Sequence, residues 1–219
     1  MRLYLKLTRN QEIIPFNYQP YLTGALHKWI GANNDEHNSL SLYSFSWLQN
    51  VDTSKDGIKT KNGSYFFISA IDETLLKKII KGIMEDATVC FGTNVAEIQI
   101  ADNLEFSDKE TFFTASPVFI KRRFENNEKH ITFNDPNASS YLTETLQKKL
   151  IIAGLPEEGV KVSFDKDYHN ARTKVISYKT IGNKVNICPV TIEGSQEQIA
   201  FAWNVGVGNS TGIGFGALK

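Results

Sequence analysis

Hydrophobic residues in the first half of the chain follow two different spacings, that of a strand and that of a helix. Leu3, Leu5 and Leu7 lie two positions apart, the spacing of a strand with one buried face. From Asp72, apolar residues recur every three or four positions with lysines between them, which predicts an amphipathic helix capped by Asp72. The predicted elements are a strand at 2–8, a helix at 18–31, strands at 40–48 and 63–71 around a polar hairpin segment at 52–62, a helix from 72, and one or two strands at 88–100.

This order of strand, helix, strand, strand, helix, strand is typical of a ferredoxin-like domain, and the second half repeats it less regularly. A helix capped by Ser139 or Ser140 is predicted through Ile152, and Gly154 ends it. The other predicted elements are a long strand at 111–123, a hairpin arm at 129–133, strands at 160–164, 173–178 and 184–192, and a short helix at 196–204. We therefore predict an α+β fold of two tandem ferredoxin-like domains, residues 1–107 and 108–219, with a C-terminal glycine-rich loop.

Composition narrows the class of protein. Among the 219 residues, 41% are hydrophobic and 22% charged, which fits a globular chain and excludes a disordered or fibrous one. No apolar run approaches the roughly 18 residues of a membrane span, and no secretory signal opens the chain, so we expect a cytoplasmic protein. Cys90 and Cys188 lack the spacing of metal ligands and are interpreted as buried apolar residues. Because 24 basic residues balance 24 acidic ones, a nucleic-acid site needs local clustering of charge.

The C-terminal segment is rich in glycine. Five glycines fall within residues 206–216, and they allow the backbone to approach another backbone or a phosphate closely. The dinucleotide-binding motif is excluded because only three residues follow Gly216, and a P-loop is excluded because no Gly-Lys-Ser/Thr is present. The residues alone leave two interpretations open, a ligand-binding loop and a bulged turn before an edge strand.

Three segments, in order along the chain, carry a family resemblance. They are the opening strand with the helix residues 21–27, the Ser-Pro strand at 115–123, and the pair of Gly-hydrophobic-Gly units at 206–208 and 214–216. Together they resemble the RAMP superfamily of CRISPR-associated proteins. Within it they resemble the repeat-specific endoribonucleases that cut precursor CRISPR RNA, the sixth family in the Cas numbering. In that family the loop between the two Gly-hydrophobic-Gly units usually carries a Lys or Arg. The chain departs from this pattern, since residues 209–213 contain neither.

The resemblance implies catalytic roles for two histidines. Metal-independent RNA cleavage needs a base for the 2′-hydroxyl proton and an acid for the leaving 5′-oxygen, and imidazole titrates in the right range for both. By resemblance, His37 falls on the commoner catalytic position and His27 where some members have a second catalytic side chain. From the residues alone, the favoured interpretation is a surface helix histidine for His27 and a solvated loop residue for His37. A third, cationic residue is expected to stabilise charge on the phosphate. Lys28 is the nearest in sequence to the histidines, and the alternatives are Lys55, Lys59 and Lys61.

A second set of residues is predicted to bind RNA. Lys121, Arg122 and Arg123 end an apolar strand, and Lys129 lies across the predicted turn. Such a cluster binds phosphates or, equally, protects a sheet edge by charge. The resemblance adds the glycine positions Gly206, Gly208, Gly214 and Gly216. His130 and His169 have no comparable support and are interpreted as hairpin and loop residues.

The function implied by the resemblance is cleavage of precursor CRISPR RNA within its repeat, without metal or other cofactor. Attack by the 2′-hydroxyl gives a 2′,3′-cyclic phosphate and a 5′-hydroxyl. The expected partner is CRISPR repeat RNA, while further Cas subunits and a homodimer are left open and no membrane partner is expected. Two alternatives remain: a non-catalytic RAMP subunit that binds RNA in an interference complex, and a ferredoxin-like ligand-binding module unrelated to RNA.

Overall fold

The computed structural model describes residues 1–31, 40–102, 104–125, 127–178 and 180–219. In chain order, the helices and strands within these ranges are β1 (Arg2–Leu7), α1 (Gln19–Ile30), β2 (Tyr43–Phe45), β3 (Gln49–Ser54), β4 (Gly57–Ala70), α2 (Glu73–Glu85), β5 (Thr88–Cys90), β6 (Thr93–Ala101), β7 (Lys109–Phe112), β8 (Lys121–Phe124), β9 (Asn127–His130), α3 (Ala138–Ile152), β10 (Lys161–Phe164), β11 (Arg172–Tyr178), β12 (Ile181–Ile187), β13 (Val190–Glu193) and α4 (Gln196–Val205). Across these ranges, no helix has the length and apolar character needed to cross a membrane.

The first half has the strand order of a ferredoxin-like domain. Its antiparallel sheet runs β2, β4, β1, β6, with β5 paired to β6 and β3 paired to β4. The Asp72 side chain accepts a hydrogen bond from the Thr74 N–H at 2.7 Å, so the predicted cap of α2 is confirmed. The segment predicted as a polar hairpin at 52–62 is mostly strand, because β3 and β4 meet in a tight turn between Ser54 and Gly57.

The second half repeats the pattern with two inserted hairpins. Strands β10, β13 and β7 form one antiparallel sheet, and a bridge between Thr114 and Leu218 places the end of the chain beside the β7 edge. The order of β10, β13, β7 and this terminal segment matches that of β2, β4, β1 and β6. The hairpin β8–β9 is inserted after the first strand, and β11–β12 lies between β10 and β13.

Proline interrupts two strands that the alternation predicts as continuous. The expected strand at 111–123 ends at Phe112 and resumes at Lys121. Between these points the backbone pairs with several partners: the Ala115 N–H donates to the Ala217 carbonyl, and Gly216 donates to the Pro117 carbonyl. Because proline has no N–H, Pro117 cannot continue a regular ladder. The predicted strand at 184–192 is likewise divided at Pro189 into β12 and β13.

The start of α3 also differs from the prediction. Asn137 occupies the N-cap position, and both Ser139 and Ser140 lie inside the helix, so neither serine is the cap. The cause is the turn at Asp135, whose side chain accepts the Asn137 N–H at 2.9 Å and whose carbonyl accepts the Ala138 N–H. This turn begins the helix earlier than the serines suggest.

Buried apolar side chains form two main clusters, one within residues 3–95 and one within residues 106–218.

Arg2 connects the two halves. Its guanidinium lies between the rings of Phe67 and Trp203, 3.8 and 3.7 Å from their centroids, and donates to the carbonyls of Trp203 and Leu218. Burial lowers the pKa of Arg2 to about 10, which keeps it charged at neutral pH. The first strand is thereby fixed to the last helix, and the domain boundary at 107/108 stays a prediction.

Candidate functional site

The glycine segment, residues 206–216, crosses from the end of α4 to the terminal segment. All four predicted glycines in it are buried and have positive φ. A Cβ on Gly208 would lie 2.5 Å from the Phe119 carbonyl oxygen, and one on Gly216 would collide with the Val207 carbonyl oxygen. The Val207 N–H donates to the Gly216 carbonyl at 2.9 Å, so the two Gly-hydrophobic-Gly units pair with each other. Glycine is needed here because backbones meet, and direct RNA contact from these positions stays a prediction.

Helix α1 packs against the glycine segment. The Gln19 side chain donates to the Ile213 carbonyl at 2.5 Å, and the Thr23 hydroxyl lies 3.4 Å from the same oxygen. His27 follows Thr23 by four residues and therefore lies on the same side of α1, where it is partly exposed. His27 therefore lies one helical turn beyond the residues of α1 that contact the glycine segment.

The hairpin β11–β12 completes this arrangement. Its buried residues Ile176 and Val185 form a cluster with Phe119 of the 113–120 segment and Phe215 of the glycine segment. At its tip, the Tyr178 side chain lies close to the Thr23 side chain, and burial raises the pKa of the tyrosine. Sequence reasoning did not single out Tyr178, because an aromatic residue on an alternating strand carries no signal of its distant neighbour on α1.

The first predicted catalytic residue, His37, lies outside the described residues. The chain that follows returns to the glycine segment at Ser41 and Tyr43. The Thr211 hydroxyl lies 3.4 Å from the Ser41 carbonyl, and the Tyr43 hydroxyl donates to the Gly212 carbonyl at 3.3 Å. Within the described ranges, no group of three or more His, Cys, Asp or Glu side chains is arranged to hold a metal ion.

The predicted cationic partner, Lys28, is already occupied. Its ammonium lies 2.7 Å from both an Asp86 carboxylate oxygen and the Thr88 carbonyl. The hydrogen bond from Lys28 lowers the pKa of Asp86 to about 2. Of the alternatives, Lys61 pairs with Asp52 at 2.6 Å, while Lys55 and Lys59 are exposed. No contact in the described part of the chain joins Lys28 to the glycine segment.

The basic cluster on β8–β9 is largely neutralised by its own chain. Lys121 pairs with Glu128 at 3.2 Å, and Lys129 lies 3.6 Å from Asp135. Arg122 donates to the Tyr141 carbonyl at 2.6 Å and to the Thr145 hydroxyl at 3.1 Å. Arg123 is exposed and forms no ion pair with any residue that the structure describes.

His130 and His169 differ in their surroundings. His130 accepts the Lys184 N–H at its Nδ1 at 3.1 Å, and its Nε2 lies 3.4 Å from a Glu128 oxygen. Its ring packs edge to face on Phe119. His169 is exposed in the loop after β10, beside Asn170. Both positions agree with the interpretation as hairpin and loop residues.

One buried cation, Lys149, was missed by sequence reasoning. Its side chain is 1% exposed, and its ammonium donates to the carbonyls of Val205 and Gly206 and to the Thr211 hydroxyl, at 3.0, 3.3 and 3.0 Å. Burial lowers its pKa to about 7. The available signal was its position, three residues after Leu146 and next to Leu150, on the buried stripe of α3.

Residues 101–219 match the family model described as CRISPR associated protein Cas6, C-terminal. The chain belongs to the Cas6 family. It is 27% identical over 235 residues to the CRISPR-associated endoribonuclease Cas6 1 of Methanocaldococcus jannaschii, covering 100% of this chain and 92% of that protein.

Two solved structures show that the fold is the tandem ferredoxin-like one. The first, described as a characterization of a Cas6-related gene from Pyrococcus furiosus, has a TM-score of 0.86 and 23% identity and covers 100% of this chain and 97% of that chain. The second, described as a RAMP protein binding different RNA substrates, has a TM-score of 0.85 and 18% identity and covers 100% and 98%. The predicted family and fold class are therefore confirmed.

The packing of the glycine segment predicts a specific stability difference between two glycines. Gly216→Ala is expected to lower the free energy of unfolding by about 3 kcal/mol or more, because the new Cβ collides with backbone. Gly154→Ala is the control, since its φ of +71° is similar and nothing lies within 4 Å, so about 1 kcal/mol is expected. Urea unfolding measures both, and equal losses would contradict the role assigned to Gly216.

A second prediction concerns His130. His130→Ala is expected to cost about 1–2 kcal/mol of folding stability because it removes a hydrogen-bond acceptor and an aromatic contact. His169→Ala is expected to stay within about 0.5 kcal/mol. Thermal unfolding of the two variants tests this, and an unchanged stability of His130→Ala would show that its contacts contribute nothing.

Proposed function

We propose that this protein is an endoribonuclease that binds CRISPR repeat RNA and cleaves precursor CRISPR RNA by attack of a 2′-hydroxyl, without a metal ion. Membership of the Cas6 family supports the class, and the relative from Methanocaldococcus jannaschii is named an endoribonuclease. The observation that carries the proposal for this chain is the packing of α1, which bears His27, against the glycine segment.

In the proposed mechanism, His37 and His27 share proton transfer. One takes the proton from the 2′-hydroxyl, whose oxygen attacks the adjacent phosphorus, and the other protonates the departing 5′-oxygen. The products are a 2′,3′-cyclic phosphate and a 5′-hydroxyl. Each proton-transfer role contributes roughly 10²–10⁴-fold to the rate. For Lys28 to stabilise the phosphate as well, it has to exchange Asp86 for the RNA.

RNA binding is proposed to involve the face formed by β8–β9 and the glycine segment. On this face Arg123 is available without breaking a contact, whereas Lys121, Arg122 and Lys129 each have partners within the chain. We therefore assign the direct phosphate contact of the hairpin to Arg123, while Lys121, Arg122 and Lys129 stay candidates that must first exchange their partners. The glycines Gly206, Gly208, Gly214 and Gly216 shape the segment beside it.

A second candidate is a non-catalytic RAMP subunit that binds RNA without cutting it. The ion pair of Lys28 with Asp86 favours it, because that pair leaves the predicted catalytic cation occupied. With protein at saturating concentration, the endoribonuclease cuts the bound RNA, whereas the non-catalytic subunit leaves it intact.

The first test is incubation of the protein with the repeat RNA of a neighbouring CRISPR array in excess chelator. A matched RNA carries one 2′-deoxy substitution at the scissile nucleotide. We expect the first RNA alone to be cut, because the substitution removes the nucleophile. Binding of both RNAs without cleavage would favour the non-catalytic subunit, and no retention at physiological salt would favour the module unrelated to RNA.

Variants separate catalysis from binding in the same assay. His37→Ala and His27→Ala are expected to lower the single-turnover rate at saturating protein by roughly 10²–10⁴-fold with little change in Kd. Arg123→Ala is the matched control, expected to weaken binding about three- to tenfold with an unchanged rate at saturation. Unchanged cleavage by the double histidine variant would contradict the assignment of the catalytic residues.

A further inference from the structure

Lys149 is a buried cation without a matching anion. Its three hydrogen-bond partners are two carbonyls and a hydroxyl, and no carboxylate in the described ranges pairs with it. The segment that contacts its ammonium cannot supply one, because residues 198–218 contain no ionisable side chain. Transfer of an unpaired charge from water to a protein interior is costly, so an uncompensated ammonium at this place needs an explanation.

Two further cations contact the last turn of α4, and other titratable groups lie on the elements packed against Lys149. The Met1 ammonium donates to the Asn204 side chain at 3.0 Å, and the Arg2 guanidinium donates to the Trp203 carbonyl at 3.1 Å. On α3 itself, Lys148 and Glu144 are exposed. From β2, the titratable group is the Tyr43 hydroxyl, which donates to the Gly212 carbonyl. Asp102 and Glu73 compensate the Met1 ammonium electrostatically, whereas only burial affects the pKa of Lys149. The negative end of the α4 dipole, equivalent to about half a charge, therefore leaves much of the Lys149 charge unbalanced.

Thr211 connects Lys149 to the accessible part of the glycine segment, since its hydroxyl lies 3.0 Å from the ammonium. Its partner Thr211 is buried, whereas Asn209 and Ser210, immediately before it, are partly exposed. Asn209 is held in place, since its N–H donates to the Phe119 carbonyl and its side chain accepts the Lys121 N–H. Residues 209–213 have no charged side chain of their own. An anion bound at Asn209 and Ser210 would therefore be attracted electrostatically by the buried Lys149 ammonium.

We propose that Lys149 is a positioning residue that fixes the turn from Val205 to Thr211 and supplies it with a positive charge, for which a phosphate of the bound RNA is the counter-ion. This inference rests on the proposed function. It adds that RNA binding is coupled to protonation of Lys149, with the neutral amine taking one proton from the buffer as the phosphate docks. No covalent bond changes in this step.

The direction of the coupling follows from burial. Burial lowers the pKa of Lys149 to about 7 in the free protein, and a nearby phosphate raises it again. Binding therefore takes up a proton above about pH 7. Affinity for RNA is greatest below the free pKa and is lost as the pH rises through the higher pKa of the bound form. A charge several ångströms away at an effective dielectric of about 20 changes affinity roughly tenfold.

The test is calorimetric titration with the uncleavable 2′-deoxy repeat RNA at about pH 8, in two buffers of different ionisation enthalpy. The wild-type protein is expected to take up more protons than Lys149→Met, by up to about half a proton, which is the most that a pKa rise of about one unit allows. Between about pH 6.5 and 8.5, its Kd should rise roughly tenfold more than that of Lys149→Met. Lys148→Met, an exposed lysine on the same helix, is the control and should behave as wild type.

The outcomes distinguish this inference from the proposed function. RNA that is retained with equal proton uptake by wild type and Lys149→Met would overturn the role of Lys149 alone, whereas no retention by wild type would overturn both. If Lys149→Met does not fold, the ε-carbon NMR signal of Lys149 in the wild-type protein is followed during a pH titration with and without RNA. The pKa is expected to rise on binding, and an unchanged pKa would contradict the proposal.

Discussion

The structure depends on the cations that hydrogen-bond to the last turn of α4. Three cations from outside the helix converge there: the Met1 ammonium on Asn204, Arg2 on Trp203, and Lys149 on Val205. A helix C-terminus carries partial negative charge on its unpaired carbonyls, so cations are favourable there. Arg2 lies on β1, Met1 directly precedes it, and Lys149 lies on α3. One helix end therefore connects the first strand of one half to both helices of the other.

The candidate site is a consequence of this connection. The glycine segment begins where α4 ends, and its path fixes the Ile213 carbonyl that Gln19 and Thr23 of α1 contact. The same segment supports the hairpin β11–β12 through Phe215, and the hairpin tip brings Tyr178 to Thr23. Helix α1, which carries His27, is thus held by contacts from the second half.

The sequence predicts what depends on local pattern and misses what depends on tertiary contact. The helix from Asp72 and the strand order of the first half follow from periodicity and capping. Pro117 divides a strand because it lacks an N–H, although alternation continues through it. The burial of Arg2 and Lys149 was not predicted, since nothing local indicates that distant carbonyls will bind them. Likewise, the charges that neutralise Lys28 and Lys121 belong to other elements.

The most direct test of this account is native-state hydrogen exchange of wild type and Arg2→Met. If the end of α4 joins the halves into one cooperative unit, the slowest amides of β1 and of α3 exchange with the same opening free energy in wild type. In Arg2→Met, which leaves two buried carbonyls unpaired, both values should fall together by about 2–4 kcal/mol. A fall confined to one half would contradict the account, because it would show that the two halves open independently.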